Sequence, residues 1–245
     1  MSTQGANKPR LLDLFCGAGG AGVGYARAGW DVTGVDVIDQ PDYPFTFWRG
    51  DALALDYEKL LSFDAIHASP PCQAYCTITS SARKRGIVYP DLYLKTKAML
   101  VASGLPYIIE NVPGSPSRNA IKLCGTMFGL GVFRHRLFES NVRLQLPATA
   151  CTCYKNRIGD GFVTVAGDSS TKAEGFEGMG IDWKMSKRQL NEAIPPAYTE
   201  FLGRQLMSAV ANQDELQADS DPLVLRKTTR IWRDGQQLLM QTSLW

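Results

Sequence analysis

The feature that most constrains this chain is an apolar run that breaks into glycines. RLLDLF at residues 10–15 leads directly into FCGAGGAG. Residues 10–15 read as a short buried strand, and residues 21–28 as a helix stopped by Gly29. Residues 30–35 (WDVTGV) read as a second strand with Asp36 at its carboxyl end. A strand, a glycine turn, a helix and a second strand form a βαβ unit, and such units imply a parallel sheet covered by helices on both faces. Gly17, Gly19 and Gly22 fall in a G-x-G-x-x-G spacing. Glycine lets the backbone turn tightly and approach a ligand, and the free N–H groups at the following helix start favour a negative group. That group can be a dinucleotide pyrophosphate or the carboxylate of S-adenosylmethionine, and the spacing alone does not choose. Asp36 stands where a ribose-binding acid should lie, and Asp51 follows a third candidate strand.

The alternation continues. Residues 63–68 (FDAIHA) read as a strand running into SPPC, residues 90–103 as an amphipathic helix, and residues 106–109 (PYII) as a buried strand ending at Glu110. The expected fold is therefore α/β, with a doubly wound, mostly parallel sheet. Ligands of such sheets bind beyond the carboxyl ends of the strands. Residues 8–139 would form this core. Residues 140–190, rich in glycine and poor in helical pattern, read as a small irregular or β-rich insert. Residues 191–211 would complete the core with a helix from about residue 195. Residues 212–245 read as a polar linker and a tail with a possible hairpin at Asp234-Gly235.

Composition narrows the function classes only slightly. A net charge of +2 does not announce a nucleic-acid protein, so a DNA surface would have to come from local clusters of Lys and Arg. The six cysteines are irregularly spaced in a chain too large to need a disulfide scaffold. The first ten residues lack the apolar stretch of a secretory signal, and no apolar run approaches a membrane span. A monomer in a reducing, cytoplasmic setting is the expectation.

Cys72 follows two prolines at the end of an apolar strand, and Pro70-Pro71 fixes where the thiol points. A positioned cysteine beyond a sheet edge suits a nucleophile, although most cysteines are inert core residues. Glu110 at the next strand end can meet the same ligand, or form a strand-end salt bridge. Arg134 and Arg136 flank His135 in FRHRLF, a run that reads as a strand with both arginines on one face. The basic segment with Arg83, Lys84 and Arg85 follows Cys72 by about ten residues.

Together these stretches resemble the cytosine-C5 DNA methyltransferase family, in a short form with a reduced target-recognition region. DLFCGAGG at residues 13–20, GDA at 50–52, PPCQ at 70–73, ENV at 110–112, RHR at 134–136 and AIPP at 193–196 occur in the family's order. The resemblance implies the S-adenosylmethionine-dependent methyltransferase fold. It implies that Phe15, Gly17, Gly19 and Pro71 border the cofactor, with Asp36 on its ribose and Asp51 on its adenine. Cys72 would be the nucleophile, Glu110 would hold the cytosine at N3 and its amino group, and Arg134 and Arg136 would hold the base and the pocket. Gln73, Arg83, Lys84 and Arg85 would meet double-stranded DNA, and nearby arginines would favour the Cys72 thiolate.

The sequence departs from the family pattern at several places. Val132 stands where the family has Gln, Cys76 where it has Ser, and Asn191-Glu192 where it has Gly-Asn. Glu192 thus falls near the expected cofactor and could alter its choice by pairing with a cation. The gap at residues 137–192 is short for a recognition domain, so short or relaxed sequence specificity is expected. Cys151 and Cys153 could give two zinc ligands, but His67 and His135 sit in other motifs and leave no clear second pair. Two free cysteines and no metal are the expectation. Three other readings stay open: an NAD-dependent oxidoreductase, which leaves PPCQ and ENV unexplained; a silent DNA-binding relative; and an enzyme that acts on RNA or places another group on cytosine.

Overall fold

The computed structural model describes residues 8–212. The linker and the Asp234-Gly235 hairpin lie outside the described residues, apart from the linker's first position at Asn212. Seven strands form one sheet: β1 (Arg10–Leu14), β2 (Asp31–Asp36), β3 (Thr46–Arg49), β4 (Ala65–Ala68), β5 (Tyr107–Asn111), β6 (Ile121–Leu123) and β7 (Arg136–Ser140). Their order is β3-β2-β1-β4-β5-β7-β6. The first five strands run parallel, while β7 is antiparallel to both β5 and β6. The mostly parallel α/β sheet expected from the sequence is present.

Side chains alternate between the two faces of each strand. On one face Leu11, Val32, Ala65 and Ile108 join a core with helices α1 (Gly20–Arg27) and α7 (Pro196–Ala211). On the other, Leu12, Leu14, Val35, Ile66, Tyr107 and Ile109 join a core with α2 (Tyr57–Leu61), α3 (Ser80–Lys84) lying outside it, and α4 (Tyr93–Ser103), which contributes Tyr93, Met99 and Leu100. Helix α1 packs tightly on α7 because Gly24 has no side chain. A Cβ there would lie 2.1 Å from the Pro196 carbonyl oxygen and from Thr199 Oγ1.

The chain runs outward from β1 to β2 and β3, then returns to place β4 on the other side of β1. The β1–β4 edge is therefore the point where the winding reverses, the place beyond the carboxyl ends of the strands where such sheets bind ligands. The loop after β1 carries Phe15–Gly19, and the loop after β4 carries Pro70–Cys72. Chain topology alone thus sets the glycine turn beside the cysteine.

The insert, expected to be irregular or β-rich, is largely irregular up to residue 171 and then adds helices. Apart from isolated bridges it carries α5 (Lys172–Met179), with α6 (Lys187–Glu192) following it. Each begins with a capping box: Thr171 with Glu174, and Ser186 with Gln189. A separate apolar cluster, including Val165, Met179, Ile181, Met185 and Leu190, packs them against Ala18 and Val132. No helix among the described residues is long and apolar enough to cross a membrane.

Candidate active site

The glycine turn starts with strain. Phe15 has φ +57°, an uncommon conformation for a non-glycine residue, and Gly17 has φ +49°. Nothing lies within 4 Å of where a Gly17 Cβ would stand, so the backbone faces open space. Asp36 closes the turn from the end of β2: its carboxylate accepts the Gly17 N–H at 3.0 Å and the Ile38 N–H at 2.9 Å. Each oxygen keeps a second lone pair for a ligand hydroxyl. Val37 and Ile38, next in the chain, are 65% and 57% exposed. Asp51 is exposed and caps a short helical turn by accepting the Leu53 N–H. A glycine turn facing open space, an acid at its mouth, two exposed apolar residues and a second acid suit a nucleoside: hydroxyls for Asp36 and a flat apolar ring for the shelf. Trp183 braces the turn by donating to the Ala18 carbonyl at 2.8 Å.

Cys72 is half-buried. Its loop is held from behind by Asn111, fully buried at the end of β5, which donates to the Pro70 carbonyl at 3.0 Å. In front, Tyr75 and Cys76 donate backbone N–H groups to the Cys72 carbonyl. Glu110 lies inside β5, one residue before its end, rather than at the strand terminus. Its carboxylate pairs with Arg136 Nε at 2.9 Å, both side chains being largely buried.

The RHR run is only partly a strand, since β7 begins at Arg136. The alternation nevertheless holds. Arg134 and Arg136 both act electrostatically on Glu110 and Cys72, while His135 Nε2 turns to Cys151 Sγ at 3.6 Å. Arg134 donates to the Val165 carbonyl at 2.6 Å and to the Asn191 carbonyl at 2.7 Å, so it ties the insert and α6 to the site.

Both arginines pull Cys72 toward the thiolate, as expected, but larger effects oppose them. Burial, with help from the Glu110 anion, pushes the Cys72 thiol up to about 11, and Arg136 and Arg134 only partly oppose this. The shift favours the thiol over the thiolate. Burial also raises Glu110, against the opposing pull of Arg136, Arg134 and a hydrogen bond from Ser69. Were Glu110 protonated, the anion that opposes the thiolate would disappear while both arginines remain.

A polar band behind the site has no counterpart in the sequence reading. Asp13 pairs in register with His67 across β1 and β4, on the face that also presents Glu110. His67 is fully buried between Tyr25 Oη at 2.9 Å and Ser69 Oγ at 2.8 Å, and Ser69 bonds Glu110 in turn. Burial lowers His67 to about 3, which keeps it neutral. Asp13 accepts from Tyr43 Oη at 3.1 Å, and burial raises it to about 7.

Other expected site residues are placed differently. Arg83 turns inward and donates to the Gln73 and Cys76 carbonyls at 2.9 and 2.8 Å, and to Thr79. It therefore stiffens its own loop, while Lys84 and Arg85 are exposed. Gln73 and Pro71 flank Cys72, both half-buried. Glu192 does find a cation, but it is Arg188 on the exposed side of α6, at 3.4 Å. Cys151 and Cys153 are joined by Cys124 and His135, the second pair that the motifs did not reveal. A concavity of about 690 Å³, lined by Gly131, Gly161, Phe162 and Glu177 among others, lies between the insert and the segment before β7 and includes neither Cys72 nor Glu110.

No family model and no curated protein matches the chain. Solved structures do. A protein described as a DNA modification methyltransferase encoded within an E. coli prophage superposes with a TM-score of 0.58 at 17% identity, covering 83% of this chain and 99% of that one. A mutant of Spodoptera frugiperda DNMT2 gives 0.54 at 15% identity, over 82% and 100%. The Entamoeba histolytica methyltransferase EhMeth gives 0.53 at 13%, over 85% and 99%. At these identities the likeness concerns the fold. The chain has the α/β fold of S-adenosylmethionine-dependent methyltransferases, with its glycine turn and its cysteine on the two sides of the topological switch point.

Proposed function

We propose that this protein transfers a methyl group from S-adenosylmethionine to carbon 5 of a cytosine flipped out of double-stranded DNA, through a covalent bond to Cys72. The observation that carries this reading is the convergence of Cys72, Glu110, Arg134 and Arg136 from three separate elements beside an open glycine turn. The turn at Phe15, Gly17 and Gly19, with Asp36, Asp51 and Pro71, would hold the cofactor.

Carbon 5 of cytosine is too weak a nucleophile to accept a methyl group unaided. Cys72 sulfur bonds to carbon 6 as its proton passes by way of Glu110 to N3, so the ring becomes an electron-rich enamine. Arg134, lowered by burial only to about 9, stays cationic and with Arg136 balances the charge as the thiol proton leaves. Bound S-adenosylmethionine supplies an electrophilic methyl group on a sulfonium. Loss of the carbon 5 proton to a base then breaks the carbon 6–sulfur bond, and the N3 proton returns by way of Glu110 to the Cys72 sulfur. The ring cannot be reached inside a duplex, so the nucleotide must be extruded. Lys84 and Arg85 suit phosphate contacts on the loop beside Cys72, and Gln73 borders the same opening. The insert is small, so a short or loosely read target follows. Exposed Glu192 has no part in this reading.

The test is incubation with labelled S-adenosylmethionine and duplex DNA containing 5-fluorocytosine, which cannot lose its carbon 5 substituent. A denaturation-resistant DNA–protein adduct that is absent in Cys72→Ser supports the proposal. Equal trapping in that variant, or labelling only of an RNA substrate run in parallel, overturns it.

A further inference from the structure

The antiparallel register of β6 and β7 pairs Leu123 with Arg136. One step further along the same ladder, Cys124 stands opposite His135. Each is the first residue beyond its strand, so the pair sits at a corner of the sheet. The insert returns to that corner with Cys151 and Cys153. Their intervening residue is pinned there, because the Thr152 N–H donates to Thr126 Oγ1 at 3.0 Å. The ligating atoms of Cys124, His135, Cys151 and Cys153 all lie within 4.8 Å of one another. Within the group, Cys124 Sγ lies 2.9 Å from Cys153 Sγ, and Cys151 Sγ lies 3.6 Å from His135 Nε2.

We propose that these four residues form a structural zinc site of the Cys3His type. Zinc bonds thiolate sulfur at about 2.3 Å and imidazole nitrogen at about 2.0 Å, so a tetrahedral shell needs neighbouring ligand atoms roughly 3.5–3.8 Å apart. Four atoms within 4.8 Å can close around such a centre with small rotamer changes. Three sulfurs and one imidazole select zinc over magnesium or calcium, which want oxygen. All four positions belong to the protein, so the site has a structural rather than a catalytic form. On binding, three S–H bonds break, three zinc–sulfur bonds form, and the protons pass to solvent; His135 ligates as the neutral imidazole through Nε2. Thr126 already supplies an outer partner, its hydroxyl lying 3.5, 3.7 and 3.9 Å from the sulfurs of Cys124, Cys151 and Cys153. The metal would fasten the start of the insert to the sheet. It would also fix His135, whose two neighbours face the opposite way into the catalytic site.

The full chain, purified without chelator or metal-affinity resin, is analysed by elemental mass spectrometry. The expected content is about one zinc per chain. Cys151→Ser loses it, Cys151→His retains it, and Cys76→Ser, altered outside the cluster, retains it. Chelation under reducing conditions should lower Tm, and added zinc should restore it. Replacement by cobalt should give the intense ligand-field bands of a tetrahedral thiolate centre. A zinc-free chain whose Tm ignores both chelator and zinc overturns the proposal, as does a Cys124–Cys153 disulfide found in non-reduced peptides. Metal content and Tm do not depend on methyl transfer, so the site stands or falls apart from the proposed activity.

Discussion

Replacing Glu110 with Gln keeps the shape of the side chain and removes its charge, and the structure assigns the change opposite effects on two reactions of Cys72. In the intact protein the thiol is pushed up to about 11, with burial first among the causes and Glu110 second. At pH 8 such a thiol is ionised to roughly one part in a thousand. A like charge a few ångströms away typically contributes roughly one to two pKa units, so the variant should bring Cys72 down by about that much. The thiolate fraction at pH 8 then rises roughly ten- to a hundredfold. Methyl transfer should instead fall by about a hundredfold or more, because no proton reaches N3 of the base. The assay is iodoacetamide alkylation of Cys72 in the folded protein from pH 7 to 12, read out on its peptide by mass spectrometry. The midpoint of the pH profile is the quantity to compare, because a thiolate of lower pKa is intrinsically less nucleophilic and rates alone would understate the shift. Circular dichroism checks that the fold survives loss of the Arg136 partner. A Cys72 midpoint that stays put or moves upward in Glu110→Gln would show that the carboxylate does not govern the thiol, and the shared-proton mechanism would fail.

Two glycine substitutions should separate binding from folding: Gly17→Ala raises the KM for S-adenosylmethionine and lowers Tm only by the roughly 1–2 kcal/mol strain of a Cβ at its positive φ, whereas Gly24→Ala lowers Tm far more because its Cβ meets the Pro196 carbonyl at 2.1 Å. Equal effects of the two on Tm would contradict the open space at Gly17. Asn111→Ala removes the hydrogen bond to the Pro70 carbonyl and leaves that acceptor buried, at a cost of about 1–3 kcal/mol in urea unfolding. Its kcat should fall more than the stability loss explains, and an unchanged kcat would show that the proline loop holds Cys72 without help. Asp13 and His67 should impose opposite pH slopes on stability. Asp13 rises from 3.8 to about 7 on folding, so the fold binds its proton more tightly and loses stability as pH climbs through that range. His67 falls from 6.5 to about 3, so the fold loses stability as pH drops through that range. Each slope is about 1.4 kcal/mol per pH unit, and they offset between roughly pH 4 and 6.5. Thermal melts should therefore expose acid sensitivity in Asp13→Asn and a loss with rising pH in His67→Gln; parallel pH profiles for the two variants would refute the assignment.

The parallel half of the sheet was legible because its strands are near-continuous apolar runs, as strands covered on both faces must be. The glycine turn, Asp36 and Cys72 were legible for a related reason, since each follows directly from the end of such a run. What the sequence hid depends on contacts across the sheet. Asp13 and His67 read as stray polar residues in apolar strands until the β1–β4 register sets them side by side. Cys124 lies in no motif and His135 in the RHR run, and they meet only through the antiparallel β6–β7 ladder. Arg83 sits in a basic run that suggests solvent, yet the turn after Cys72 offers it two carbonyls at hydrogen-bonding distance. Helices α5 and α6 were readable in principle: both capping boxes are present in the sequence, at Thr171–Glu174 and Ser186–Gln189, but glycines interrupt the helical apolar pattern around them.

Arg134 sets a rule for how such a protein can diversify. Its guanidinium clasps one carbonyl from the insert, at Val165, and one from the segment leading into α7, at Asn191. Main-chain oxygens are indifferent to side-chain identity, so the stretches on either side of Val165 can be rewritten or lengthened while these two anchor points persist. Splicing in a foreign segment would thus disturb the chemistry only if it failed to return a carbonyl to each of them.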